Sequence, residues 1–212
     1  PAACSIRYVR VGPAHGPAAA RNAGWRAASG SIIAFTDDDC LPAASWLREG
    51  VAVLEGAGAA AATGQVVVPL PDQPTDYERD CAGLSRGEFV TANCFCRREA
   101  LEAVGGFDER FKAAWREDSD LQFTLLERGY EIVQAPAAVV IHPVRPARWG
   151  VSLRQQKKTA YNALLYRKHR ELYQSRIEPM PRGYYAIAAS LLGVAASVAA
   201  SSLPLAAISA AA

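Results

Sequence analysis

The sequence predicts a layered α/β domain with a mainly parallel sheet, followed by a basic collar and an apolar tail. Three observations point there. Strand-length β-branched and aromatic runs alternate with segments of helical periodicity. A buried run at residues 31–36 stops abruptly in three consecutive carboxylates, and residues 184–212 carry no charged side chain.

Residues 6–11 read as a short strand. Residues 17–29 read as a helix with Pro17 in the first turn and Gly30 as its stop. The run Ser31-Ile32-Ile33-Ala34-Phe35-Thr36 is a buried strand by its composition. A second helix is expected over 43–54, a strand over 63–68, and a long Pro- and Asp-rich loop over 69–80, of a length that suggests function or mobility. A strand over 88–96 leads to a short helix over 97–104 that Gly105-Gly106 terminates. Residues 107–116 read as a loop. A helix over 117–128 shows Leu121, Leu125 and Leu126 on an apolar face, with Gly129 as its cap. The strand 132–141 ends just before His142, and residues 152–173 read as one basic amphipathic helix. Domain bounds of 1–150, 151–183 and 184–212 follow.

With 212 residues and 50% hydrophobic positions, the chain is long enough for one sizeable core. Its five cysteines, Cys4, Cys40, Cys81, Cys94 and Cys96, are odd in number and include no CxxC pair, so no disulfide or zinc framework follows and reduced thiols in a cytosolic domain are expected. Residues 1–139 hold 13 Lys/Arg against 19 Asp/Glu, whereas residues 140–182 hold 10 against 2. An acidic body, a basic collar and an uncharged tail are the order found where a cytoplasmic domain meets a bilayer. As a helix, residues 184–212 would exceed a bilayer core, with Pro204 as an interruption; an Ala-rich helix packed on a partner is the competing reading. No aromatic-interleaved motif accompanies the collar, which argues against nucleic acid. The chain opens at Pro1 with no charged-then-apolar leader.

Asp37, Asp38 and Asp39 follow the carboxyl end of a buried strand, the edge where open α/β sheets bind ligands. Three adjacent carboxylates repel one another, so a hard divalent cation is a natural partner. Alternation along an extended chain lets Asp37 and Asp39 face one site while Asp38 faces away. A solvated acidic turn capping the next helix explains the spacing equally well. Glu117, Asp118 and Asp120 sit at a predicted helix start, where the helix dipole favours ionised carboxylates; Asp118 is a candidate base, although acids are common in any first turn. His142 completes a possible O,O,N metal set, against the commoner role of a lone hydrogen-bonded histidine.

These residues carry a resemblance. The segment GPAAARNAGWRAASGSIIAFTDDDCLPAASWL, residues 16–47, resembles the sugar-nucleotide half of glycosyltransferase family 2 enzymes of the GT-A fold, with their ARN and DxD patterns. The segment TANCFCRREALEAVGGFDERFKAAWREDSDLQFTLLERGYEI, residues 91–132, looks like the acceptor half of the same family. RQQKKTAYNALLYRKH, residues 154–169, is more loosely similar to the basic helix of bacterial membrane-associated members. The resemblance implies a Rossmann-like α/β/α sandwich that lacks its first β-α-β part, with carboxyl-terminal helices. It implies that Asp39 binds Mn²⁺ or Mg²⁺ at the diphosphate, that Asp37 lies near the ribose or a metal-bound water, with Asp38 between them, and that Arg21 and Asn22 line the nucleotide side. It further implies Asp118 as the catalytic carboxylate of the ED pair with Glu117, and His142 as a further metal ligand. Residues 93–96 and Trp115 would shape the acceptor side, against core packing, which is the stronger reading for Phe95 and an open alternative for Trp115. The partners implied are a nucleotide-sugar donor, a glycan or lipid-linked acceptor and the cell membrane, with inverting transfer in cell-surface glycan or glycolipid synthesis.

Two other classes share some of these features. A non-catalytic membrane scaffold would keep the fold without turnover. A metal-dependent phosphohydrolase or nucleotidyltransferase would use the acidic triplet, but a DxDxT phosphatase wants Thr where Leu41 stands, and Asp118 would have no role.

Overall fold

The computed structural model describes residues 6–12, 15–179 and 182–209, with side chains as far as residue 200; Cys4 and the last three residues of the tail lie outside the described residues. Two compact units are present, Pro1–His169 and Arg170–Ala212.

In the first unit, strands β1 (Ile32–Phe35), β2 (Leu41–Pro42), β3 (Ala61–Val67), β4 (Cys94–Arg97) and β5 (Ile132–Ile141) form one sheet in the order β1-β4-β3-β5-β2. The α/β class holds, but the sheet is mixed. Only β3 and β5 pair in parallel; β4 runs against both β1 and β3, and β2 runs against β5. Helix-strand alternation does not fix strand direction. The connection from β3 to β4 starts and finishes at the same end of the sheet, so it needs no crossover.

Both sheet faces are covered, which makes the sandwich. Along β1, Ile33 and Phe35 enter one core with Trp25, Leu101, Phe107, Leu121 and Leu125, whereas Ile32 and Ala34 pack on the other with Trp46, Leu54, Phe95 and Val140. The period of two sends alternate side chains to opposite layers. Helix α1 (Gly16–Ala27) buries Ala18, Ala19, Asn22 and Trp25, a stripe at helical spacing. On the other face, α2 (Trp46–Ala57) buries Trp46, Gly50 and Leu54. Gly50 must lack a side chain, because a Cβ there would stand 2.1 Å from the Phe95 ring. Each large apolar side chain so buried contributes about 1.5–3 kcal/mol.

Several local expectations change. Residues 6–12 form no strand: Ile6 and Tyr8 are 92% and 85% exposed, and a lone extended segment has no ladder to join. The expected loop over 69–80 contains the start of α3 (Asp76–Ala82), because Thr75 and Glu78 form a reciprocal capping box. The strand expected over 88–96 is confined to β4; a 3-10 turn at Thr91–Asn93 precedes it. Asn93, expected on the acceptor side, and Phe95, read as core, are both fully buried. Asn93 accepts from Trp46 Nε1 (2.8 Å) and donates to the carbonyls of Gln65 (2.9 Å) and Ala138 (2.7 Å). It thereby satisfies the irregular stretch where Gly64 pairs with Ala135 but Gln65 pairs with Val139.

After α4 (Arg98–Val104), α5 (Glu117–Glu127) and β5, the basic helix is broken into α6 (Val151–Gln155), a 3-10 turn and α7 (Ala160–Lys168). Helicity stops at His169, whose φ of −133° and ψ of 57° leave the helical region. The first compact unit ends at the same residue, His169. α7 docks through fully buried Leu165 and through Tyr161, whose hydroxyl accepts from the Lys112 N–H at 3.1 Å.

The second unit holds α8 (Arg170–Arg176) and α9 (Arg182–Ser209), the latter running on through Pro204. Residues 182–200 of α9 have a mean hydropathy of 1.6 and none of this stretch is buried. Ser190 and Ser197 fold their hydroxyls back onto the carbonyls of Ala186 (2.8 Å) and Gly193 (2.9 Å), which satisfies them without water.

Candidate active site

The acidic triplet forms a turn directly after β1, closed by the Cys40 N–H donating to the Asp37 carbonyl at 3.1 Å. Beyond it, β2 pairs with the end of β5, Leu41 opposite Ile141, and this short ladder carries Cys40 and Asp39 to the side of His142. One atom each from Asp39, Cys40 and His142 lies within 4.8 Å of the others. The Asp39 carboxylate with water suits Mn²⁺ or Mg²⁺, whereas the imidazole and the thiol are softer donors, so the mixed set fits a divalent ion. Burial pushes the Cys40 thiol up, against the hydrogen bonds from the Asp37 backbone and Thr36.

The triplet divides its work. Asp37, expected near the ribose or the metal, pairs with Arg21, whose Nη2 donates to its Oδ1 at 2.8 Å. Asp38 points outward, 91% exposed. Asp39 lies with His142 Nε2 at 3.5 Å and with Arg145 Nε at 2.7 Å. Neither Cys40 nor Arg145 is marked as a site residue by sequence; Arg145 shares a Pro-broken stretch with Arg148, and no motif surrounds them.

Arg21 also reaches the start of α5. Its Nη1 donates to Glu117 Oε1 at 2.7 Å, so one guanidinium joins the acidic triplet to the Glu117-Asp118 pair across 96 residues of sequence. The Phe107 ring sits 5.9 Å beneath that guanidinium. Glu117 is 3% exposed and its Oε2 has no hydrogen-bond partner. Burial, then repulsion from Asp118, raises its carboxyl above the usual range, with Arg21 pulling the other way. Half-buried Asp118 accepts from the Ser119 N–H at 2.7 Å; burial raises it despite that bond and the charges of Arg21 and Arg116. α5 is entered through Arg116 at φ 72°, the one non-glycine residue with positive φ among the described residues. Its Nε and Trp115 Nε1 both donate to Asn162 on α7, at 2.8 and 2.9 Å. Trp115 also lines a cavity of 220 Å³ with Asp76, Asp80, Gln155 and Lys158.

Asn22, expected beside the nucleotide, has another job in the fold. It is 1% exposed; its amide donates to the Phe107 carbonyl (2.8 Å) and Glu109 (3.0 Å), and its oxygen accepts from Phe107 N–H (2.9 Å) and Trp25 Nε1 (3.0 Å). It clamps α1 to the turn at Gly106, where a Cβ would meet that oxygen at 2.5 Å.

Asp120, 2% exposed, pairs with Lys168 and with His169 Nε2 at 3.1 Å, while His169 Nδ1 lies 2.9 Å from Glu127, poorly aligned for a hydrogen bond. Lys168 also binds Asp108 (2.7 Å); burial would raise that carboxyl, but Arg110 and Lys168 hold it well below the usual carboxylate range. Burial alone would lower His169, but the hydrogen bond to Asp120 and the charges of Asp120 and Glu127 raise it. A histidine raised on folding contributes stability that is fully present below its unfolded value of about 6.5 and is lost as pH rises through the folded value. Melting temperatures measured from pH 6 upward should therefore fall more steeply for the native chain than for His169→Gln; parallel curves would show that this pair contributes nothing.

The sequence model described as "Glycosyl transferase family 2" matches residues 3–116. Glycosyltransferase AglE of Haloferax volcanii is 32% identical over 152 residues, which cover 66% of this chain and 48% of that protein. The pre-mycofactocin glycosyltransferase of Mycobacterium tuberculosis is 30% identical over 157 residues, 67% of this chain and 33% of that protein. The chain thus spans a third to a half of the length of these relatives. Among solved structures, the mannosyltransferase PcManGT of Pyrobaculum calidifontis, in complex with GDP-Man and Mn²⁺, superposes with a TM-score of 0.50 at 24% identity, covering 89% of this chain and 60% of that one. GalNAc-T7 with UDP, GalNAc and Mn²⁺ gives a TM-score of 0.50 at 15% identity, over 64% of this chain and 32% of that one. These two likenesses are of fold, the GT-A fold. The family match runs through Arg21, the acidic triplet and the Asn22 clamp and takes in more than half of the chain, so this protein belongs to glycosyl transferase family 2.

Proposed function

We propose that the chain is the catalytic part of a membrane-associated, inverting glycosyltransferase that moves a sugar from a nucleoside diphosphate to an acceptor hydroxyl. The observation that carries the proposal is the Arg21 bridge, 2.8 Å to Asp37 and 2.7 Å to Glu117, which makes the acidic triplet and the Glu117-Asp118 pair neighbours in one site. The donor class and ion follow the family and the GDP-Man and Mn²⁺ bound by PcManGT.

In this reading Asp39 and His142 hold Mn²⁺ or Mg²⁺, with Cys40 at hand. When bound, the ion supplies Lewis-acid stabilisation of the negative charge on the departing diphosphate. Arg21 keeps Asp37 and Glu117 fixed, and Asp37 and Asp38 flank the nucleotide. Asp118 takes the proton of the acceptor hydroxyl as its oxygen bonds to the anomeric carbon; the carbon-oxygen bond to the diphosphate breaks on the opposite face, and the diphosphate leaves with that electron pair. A single displacement inverts the anomeric centre. Burial raises Asp118, which makes it a stronger base than a free aspartate. The exposed apolar helix α9 would anchor the protein in a membrane, with the basic stretch on the cytoplasmic side and a glycan or lipid-linked acceptor arriving there.

The test is a panel of nucleotide sugars supplied with Mn²⁺ to the membrane-embedded chain. Release of nucleoside diphosphate with one donor is expected, and chelation should stop it. Release of inorganic phosphate would point to a hydrolase, and no turnover with any donor to a scaffold.

A further inference from the structure

Arg145 already puts a positive charge where a metal ion is expected. Its Nε lies 2.7 Å from Asp39 Oδ2 and its Nη2 lies 3.0 Å from Asp38 Oδ1, so one guanidinium spans two of the three carboxylates. The other oxygen of Asp39 faces His142 at 3.5 Å. One oxygen of the residue central to the candidate metal group is therefore held by a cation, and the other faces the imidazole. A divalent ion held by Asp39, Cys40 and His142 would add two positive charges beside that guanidinium, and the two cations would compete for the same carboxylate.

The chain around Arg145 suits a movable arm. After β5, residues 142–148 form no helix or strand, and Pro143 and Pro146 have no N–H to commit to a ladder. Arg145 is 60% exposed, so it can leave the turn without opening a core.

We propose that Arg145 is the resident counter-cation of the acidic turn, and that a divalent ion binds by displacing it, so that metal uptake and release of the 143–148 arm are one linked event. This rests on the metal reading above. Two linked equilibria at one carboxylate must oppose each other: whatever holds Arg145 on Asp39 weakens the ion, and the ion frees Arg145. The freed guanidinium then carries five N–H donors beside the point where an anion would arrive with the metal.

The experiment titrates Mn²⁺ into the full chain in lipid nanodiscs without nucleotide, following the signal of free Mn²⁺ by electron paramagnetic resonance. Arg145→Ala should bind Mn²⁺ about threefold to tenfold more tightly than the native chain, the range set by one or two partly exposed ion pairs. Arg145→Lys, which keeps the charge but loses the fork, should fall between them. Asp39→Asn should abolish binding in both backgrounds. If Asp39→Asn abolishes binding but Arg145→Ala leaves the affinity equal or weaker, Arg145 is no competitor and this inference fails while the metal site stands. If Mn²⁺ binding survives Asp39→Asn, or neither native chain nor Arg145→Ala binds the ion, the metal reading fails and takes this inference with it. Circular dichroism spectra matching the native chain confirm that each variant is folded.

Discussion

Asp118→Asn should lower kcat by about a hundredfold to ten-thousandfold while leaving donor affinity close to native, the range that a lost general base gives. The amide has nearly the shape of the carboxylate and can still accept from the Ser119 N–H, so the start of α5 should keep its geometry. It cannot take a proton. Stability should move the other way. Burial raises Asp118, so its ionised form is disfavoured in the fold, and this penalty grows as pH rises from the unfolded value through the folded one. Near neutral pH the asparagine variant should melt at or above the native temperature. The native rate should itself decline toward acid as Asp118 takes up its proton, with the limb above the pH typical of a free aspartate. A native rate in Asp118→Asn, read from nucleoside diphosphate release, would move the base elsewhere.

Arg21→Met should destabilise the fold by about 3 kcal/mol, because removing one partner of a buried ion pair leaves the other without compensation. The guanidinium is 15% exposed and the Glu117 side chain 4%, and Glu117 Oε2 has no second donor to fall back on. Protonation of Glu117, already favoured by burial, moderates the loss at low pH. The double variant Arg21→Met/Glu117→Gln should recover more than half of the lost stability, since it removes the stranded charge as well. It should not recover activity, because Asp37 would still lack its partner. Denaturant titration of the single and double variants measures the coupling; additive losses would mean that the bridge is not a stabilising unit.

The sequence carries β1, α5 and β5 almost residue by residue, since β-branched strand runs and a leucine stripe at helical spacing, bounded by carboxylates or glycine, leave few alternatives. It carries strand direction poorly. Cys94, Phe95 and Cys96 are buried on both sheet faces, so their composition reads the same whether β4 runs with β3 or against it. The break at His169 was hidden because the residues from Ala160 to Lys168 keep helical composition up to the turn. At the site, carboxylates on strand and helix ends were legible because their spacing is local. The Arg21 bridge to Glu117 and the Arg145 contact with Asp38 join residues 96 and 107 positions apart, and no local pattern reports them. Asn22 was legible as part of a motif, yet its partners Phe107 and Glu109 belong to the other half of the chain.

Arg116 holds a left-handed backbone, φ 72°, one residue ahead of the Glu117-Asp118 pair. For a residue with a Cβ this conformation costs about 1–2 kcal/mol, and glycine would relieve it. Glycine would also surrender the guanidinium that Asn162 grips from α7, so what the backbone gained the docking of α7 would lose. The kink before α5 thus trades comfort for aim, keeping a cramped backbone at the point where two carboxylates must be held in one direction.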